Sequence, residues 1–150
     1  MTATSHTSYL RLFRARRDYC AALAQLSRGQ LDLIESDDYT QLLVVLGRKQ
    51  GLLGRMEELR LGQPELWREW RQDRDQLDAE SRQACEELLA ETESILRELN
   101  QHEQLSTETL TRRRDQTRRQ LESVSGGLRA HEAYGADHAG PTHRRLDIGQ

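Results

Sequence analysis

The longest stretch of helix-favouring sequence lies between Pro64 and Gly126, and it constrains the fold more than any other feature. No glycine or proline occurs between these residues, and Leu, Glu, Gln, Arg and Ala dominate the stretch. Its apolar and small residues recur at helical spacing and share one stripe: Trp67, Trp70, Leu77, Ser81, Cys85, Leu88, Thr92, Ile95, Leu99, Leu110, Thr117, Leu121 and Val124. A helix over 65–125 would be about 90 Å long at ~1.5 Å per residue. The stripe is dense up to Leu99 and then polar and thin, which predicts a packed half followed by a protruding arm.

Two shorter helices are expected before this stretch. The first covers about residues 8–35, with an apolar stripe that includes Tyr9, Phe13, Leu23 and Ile34 and with Ser8 as its N-cap. Ser36-Asp37-Asp38 is a short polar break, and a second helix follows over about residues 39–61. So short a connection makes the two helices antiparallel neighbours.

The sequence therefore predicts an all-α fold, with an antiparallel helical hairpin packed on a long third helix. Residues 1–125 form one elongated helical-bundle domain in this prediction. Gly126-Gly127 ends the third helix, because glycine is the usual C-terminal stop. The residues that follow are rich in Gly, His, Ala and Arg, so 126–150 is expected to be a flexible tail.

No catalytic or cofactor-binding pattern stands out. With 31% charged and 5% aromatic residues, the composition suits an exposed helical protein better than a compact α/β enzyme. Phosphate-binding glycine loops, nucleophile elbows and CxxC pairs do not occur. His131, Asp137, His138 and His143 lack ligand spacing, and a phosphotransfer role for His102 lacks the expected neighbours. We therefore expect a protein that is not an enzyme and that has no cofactor or metal.

The two cysteines, Cys20 and Cys85, fall on apolar stripes and are expected to be reduced, buried thiols. The first eight residues have no apolar segment of the kind a signal peptide needs, and no run approaches the ~20 apolar residues of a membrane span. These features predict a cytoplasmic protein without a membrane span.

One basic cluster follows the acid-rich segment 86–108, with Arg112, Arg113, Arg114, Arg118 and Arg119. Nucleic-acid binding would need aromatic residues between the arginines for base stacking, and there are none. A solvated helix face with local ion pairs is the simpler interpretation, so no nucleic-acid partner is predicted.

Two features of the second helix have open interpretations. Lys49, the only lysine, lies inside an apolar stripe, so it either extends its charge to solvent or pairs with a glutamate of the third helix and fixes the register. Gly47, Gly51 and Gly54 share the opposite face, which is either a weakened solvent-facing surface or a docking groove for another helix.

The order of elements resembles the flagellar export chaperone family FlgN. Two antiparallel helices, a longer third helix and a tail form the outline of that family. The local pattern is similar too: an acidic stretch at 35–38, a leucine-rich second helix with Lys49 inside its stripe, Tyr134-Gly135, Gly140 and Arg145-Leu146-Asp147.

This resemblance implies a cytosolic chaperone of type III export. It would bind C-terminal helices of the hook–filament junction proteins, FlgK and FlgL, keep them unassembled, and hand them to the export gate or its ATPase components. By the same analogy cargo binds the C-terminal part, where the stripe and the tail provide these candidate residues: Leu99, Leu110, Arg113, Arg114, Thr117, Leu121, Val124 and Tyr134. The alternative is a self-associating coiled-coil scaffold, a homodimer through the long helix.

Overall fold

The computed structural model describes residues 3–148 of the chain and, within them, the side chains of residues 7–135. Helices α1 (Ala3–Glu35), α2 (Tyr39–Gly62), α3 (Pro64–Asp73) and α4 (Ala79–Ile148) follow one another, and a 3-10 turn (Arg74–Gln76) lies between α3 and α4. The described residues contain no strand. The all-α prediction is confirmed. Helix α1 begins earlier than predicted, so Ser8 lies inside the helix and is not its N-cap.

A tight turn at residues 36–38 joins α1 to α2, as the polar break predicted. Asp37 has a φ of 57°, a left-handed conformation that aspartate tolerates better than most residues. The side chain of Asp38 accepts a hydrogen bond from the backbone N–H of Gln41 at 3.2 Å and caps α2. The turn therefore folds α2 back along α1.

The predicted unbroken helix over 65–125 is wrong at its beginning. The chain leaves helical geometry at Leu77, whose ψ of 151° is extended and whose side chain is 7% exposed in the core. The next residue, Asp78, accepts a hydrogen bond from the backbone N–H of Ser81 at 3.2 Å and so starts α4. Burial of one leucine and a new N-cap together outweigh the uniform helix propensity of the segment.

The predicted stop at Gly126-Gly127 is also wrong. Helix α4 continues through both glycines to Ile148. A glycine stop requires the left-handed conformation, and no glycine among the described residues has a positive φ.

The chain divides into two compact units, Met1–Thr109 and Leu110–Gln150, whereas the sequence predicted one domain over 1–125. In the first unit, side-chain contacts at 17–91 and 27–103 show that α1 and α4 run parallel, while the 49–103 contact belongs to the returning α2. The buried hydrophobic core consists of Tyr9, Leu12, Phe13, Cys20, Leu23, Ala24, Ile34, Leu42, Leu77, Cys85 and Leu88.

Burial on α4 extends ten residues beyond the predicted limit at Leu99. Ser106 is 1% exposed and Thr109 is 7% exposed. The limit was misplaced because it was drawn where the apolar stripe thins, whereas the polar residues Ser106 and Thr109 also pack inside the bundle. The Thr109 hydroxyl donates to the backbone carbonyl of Leu105 at 2.8 Å, which satisfies its polar group inside the bundle.

Candidate functional site

An exposed apolar stripe on α4 is the main feature of the second unit. Its apolar members have large exposed fractions: Leu110 37%, Leu121 63%, Val124 59% and Leu128 57%. Together with Arg114 and Thr117, they are spaced alternately four and three residues apart. This is the spacing with which one helix packs against another in a coiled coil. We call these six residues the 110–128 stripe.

Arginine side chains lie at both edges of the stripe: Arg114 is one of its six members, and Arg113 lies outside it. At ~100° per residue, Arg113 and Arg114 fall on opposite flanks of the line through Leu110 and Leu121. Arg114 lies 3.3 Å from the carboxylate of Asp115, and its side chain is 66% exposed. So exposed a pair contributes little stability, which leaves the guanidinium accessible to an acidic partner.

Two predicted site residues do not belong to this surface. Leu99 is half-buried in the first unit, and Tyr134 is 69% exposed but lies about a third of a turn around the helix from Leu121. Conversely, Leu128 was missed, because the helix was predicted to end at Gly126. Its distance of four residues from Val124 was the available signal.

A polar cluster inside the first unit decides between the two interpretations of Lys49. Lys49 is 8% exposed and pairs with the carboxylate of Glu103 on α4. Its Nζ also donates to Oε1 of Gln30 at 2.8 Å, and Ser27 Oγ donates to Oε1 of Glu103 at 2.7 Å. The interpretation in which Lys49 extends its charge to solvent is wrong. The ion pair with a glutamate of the predicted third helix is present, and this glutamate lies in α4.

The same cluster affects the ionisation of Glu103. Partial burial acts against the charged form, but the hydrogen bonds from Lys49 and Ser27 outweigh it and hold the pKa of this carboxyl below its ordinary value. Glu103 is therefore negatively charged at neutral pH and balances Lys49.

Three aromatic residues, Tyr9, Trp67 and Trp70, cluster around Phe13 in the first unit. The rings of Phe13 and Trp70 meet edge to face with centroids 4.9 Å apart, and Trp67 lies 5.7 Å from Phe13 on another side. The ring of Tyr9 is 5.1 Å from Trp70, and its hydroxyl donates to Asp73 Oδ2 at 2.7 Å. Both tryptophans thus pack against the core of the bundle.

Helix α2 leaves much of its apolar surface uncovered. Leu46 and Leu53 are 38% and 48% exposed, and Leu43 is 69% exposed. A β-carbon placed at Gly47, Gly51 or Gly54 would meet nothing within 4 Å, so no helix of the described structure packs on this glycine face.

The cysteines, the candidate metal ligands and the helix lengths complete the comparison with the sequence predictions. Cys20 and Cys85 are buried and unbridged, as expected, and burial raises the pKa of both thiols. His131 is exposed, while the side chains of Asp137, His138 and His143 lie outside the described residues. Among the described residues, no group of three or more His, Cys, Asp or Glu side chains is arranged to hold a metal ion. No helix in the described part of the chain combines the length and hydrophobicity of a bilayer span.

Comparison of the chain with protein-family models, with curated proteins and with solved structures gives no match.

Proposed function

We propose that this protein is a cytoplasmic export chaperone of the flagellar type III system. It binds C-terminal helices of hook–filament junction proteins of the FlgK and FlgL type and keeps them unassembled until export. The observation that supports this proposal is the 110–128 stripe, whose four apolar side chains are 37% to 63% exposed. Complete burial of one such side chain stabilises a complex by about 1.5–3 kcal/mol.

The geometry of the stripe favours a helix as the bound ligand. Apolar residues at alternating four- and three-residue spacing interlock with the same pattern on another helix. A segment that assembles through helical packing in its final structure exposes such a pattern beforehand, and a chaperone helix covers it temporarily. Arg113 and Arg114 on the flanks favour cargo helices with acidic residues beside the apolar stripe.

A co-purification experiment tests this proposal. The full chain is co-expressed with C-terminal segments of the same organism's junction proteins, with the filament cap protein as the specificity control. Leu110→Asp, Leu121→Asp and Val124→Asp are then combined in one variant. We expect binding to weaken by more than about a hundredfold, since three buried apolar contacts are lost.

A matched control adds the same charge elsewhere on the helix. Thr111, Ser123 and Ala130 are exposed and lie away from the stripe, so their combined replacement by Asp is expected to leave binding unchanged. Equal loss in both variants would indicate a general charge effect. Binding that survives the stripe variant would place the cargo site elsewhere, and absence of binding to any junction protein would contradict the proposed function.

The same spacing supports self-association as the second candidate function. Two copies of the stripe could pair with each other as a coiled-coil scaffold. Sedimentation velocity over a wide concentration range distinguishes the two. A dimer that the stripe variant dissociates, together with no junction-protein binding, would favour the scaffold.

A further inference from the structure

We infer that a groove between α1 and α2 in the first unit is a docking site for an acidic amphipathic helix of a partner protein. This site goes beyond the proposed function, because it lies on different helices from the 110–128 stripe. The groove has a volume of about 720 Å³, and its lining residues all fall between Ala22 and Arg55. Its walls are mostly apolar, with Leu26 and Leu33 from α1 and Val45 and Leu52 from α2.

The sequence of α2 indicates that this side of the bundle is suited to a further helix. Residues 42–46 read Leu-Leu-Val-Val-Leu, and five consecutive helical residues cover the whole circumference of a helix. A helix that is apolar all round is normally buried on every side. Here α2 buries Leu42 in the bundle, while Val44, which falls on the same side of α2 as Arg48, is 43% exposed. Leu43 is 69% exposed but lies on the other side of α2, away from the groove. The pattern of α2 is that of a helix with another neighbour.

The charges on the groove identify the chemistry of that neighbour. Arg48 and Arg55 line it, no carboxylate does, and α2 has no acidic residue before Glu57. Both arginines are exposed, and neither forms an ion pair among the described side chains. They lie seven residues apart on one helix, about 10 Å along its axis. A partner helix with an apolar stripe and two acidic residues about two turns apart meets both cations.

The same charges disfavour a second copy of this chain. A symmetric pairing through this face brings each patch against itself, so the arginines of both copies would meet without a compensating acid. A foreign helix with glutamates on its flanks has no such cost.

Glycine makes close approach possible. Gly29 and Gly51 both line the groove, and a β-carbon at either position would meet nothing within 4 Å. A larger side chain at Gly51 therefore occupies the groove without disturbing the core, which provides a variant that blocks binding and still folds.

Fluorescence anisotropy with two labelled synthetic peptides tests the inference. Both peptides are about three heptads long, with Leu at the a and d positions and Glu on the flanks of one and Lys on the flanks of the other. We expect the full chain to bind the Glu peptide at least tenfold more tightly than the Lys peptide. The Arg48→Glu/Arg55→Glu variant should reverse that preference. Absence of binding to the Glu peptide, or equal affinity for both peptides, would overturn the inference.

Steric variants locate the binding site. Gly51→Leu is expected to weaken binding of the Glu peptide at least tenfold, while Gly54→Leu, on the same helix but outside the groove lining, should leave it unchanged. Circular dichroism confirms that each variant folds. Loss of binding in a Leu121→Asp/Val124→Asp variant, or unchanged binding in Gly51→Leu, would place the peptide on another surface. A change of molecular mass in Arg48→Glu/Arg55→Glu would indicate a second copy as the occupant and would also overturn the inference.

Discussion

Lys49 of α2 and Glu103 of α4 form an ion pair inside the helical bundle. The Lys49 side chain is only 11% exposed, whereas 39% of the Glu103 side chain is accessible. Gln30 and Ser27 of α1 complete the cluster, so α1, α2 and α4 all contribute a side chain to it. A buried polar cluster of this kind is satisfied in one alignment of the helices only, because sliding any helix by a turn separates the partners. The pair therefore fixes how the hairpin lies on α4.

Replacement of Lys49 alone is expected to destabilise the bundle. In Lys49→Met the apolar stem is retained, but Glu103 and Gln30 lose their cationic partner. Breaking a buried pair costs about 3–5 kcal/mol, and the partial exposure of Glu103 reduces this to about 1–2 kcal/mol. Urea denaturation followed by circular dichroism measures the change.

The control for this prediction replaces both partners. Lys49→Met/Glu103→Met removes the ion pair without leaving a charge unpaired, and we expect it to be more stable than Lys49→Met. If Lys49→Met were as stable as the unmodified chain, the pair would not hold the bundle together.

Acid is expected to weaken the fold through Glu103. Its folded-state pKa is lowered, so the stability it provides is fully present above the unfolded pKa and is lost as the pH falls through the folded pKa. The loss should therefore appear below about pH 4.5. The free energy of unfolding of Glu103→Gln, measured against pH by urea titration, should fall less steeply in this range than that of the unmodified chain. Parallel curves for the two proteins would contradict the assignment.

Alkaline conditions are expected to act through Tyr9. Burial raises the pKa of the Tyr9 phenol well above its ordinary value, and the hydrogen bond to Asp73 and the charge of that carboxylate raise it further. A raised pKa gives stability that is fully present below about pH 10 and is lost as the pH rises further. Tyr9→Phe removes this contribution, so its stability should fall less steeply at alkaline pH than that of the unmodified chain.

Tyr9→Phe is also expected to lower the stability of the fold at neutral pH. Tyr9→Phe retains the ring that lies 5.1 Å from Trp70 but loses the hydroxyl bond to Asp73, which costs about 0.5–1.5 kcal/mol. Absorbance at 295 nm, which reports phenolate, follows the alkaline titration. Ionisation of Tyr9 at its ordinary pKa in the folded chain would show that the phenol is not buried as described.

Substitution of Gly47 by alanine is expected to stabilise α2. A β-carbon at this position would meet nothing within 4 Å, and glycine in a helix interior is less favourable than alanine by about 0.5–1 kcal/mol. Thermal unfolding of Gly47→Ala should therefore show a higher midpoint than that of the unmodified chain. Gln50→Ala, another exposed position of α2, serves as the control and should change stability by less than about 0.5 kcal/mol. A lower midpoint for Gly47→Ala would imply that another helix packs closely on the glycine face.

The two boundary errors in the sequence prediction have different causes. Propensity and periodicity are local, so they predicted the two hairpin helices within a few residues but missed the break at Leu77, where burial of a side chain competes with helical continuity. The pattern Asp78-Ala79-Glu80-Ser81 carried an N-cap signal that the continuous stripe obscured. The stop at Gly126 failed for the opposite reason: glycine permits a left-handed end but does not impose one.

Residue pattern alone was enough to predict that the chain is helical, where its turn folds α2 back on α1, and which stripe of α4 stays apolar. These properties follow from the periodicity of side chains along a single helix. The pairing of Lys49 with Glu103 and the exposure of Leu46 and Leu53 depend on how the helices pack. The unfilled α1–α2 groove depends on the packing too. Each of these three features depends on which helix lies beside a given helix face. The residue pattern shows that an apolar face needs a neighbour, but it does not show whether the chain itself supplies that neighbour.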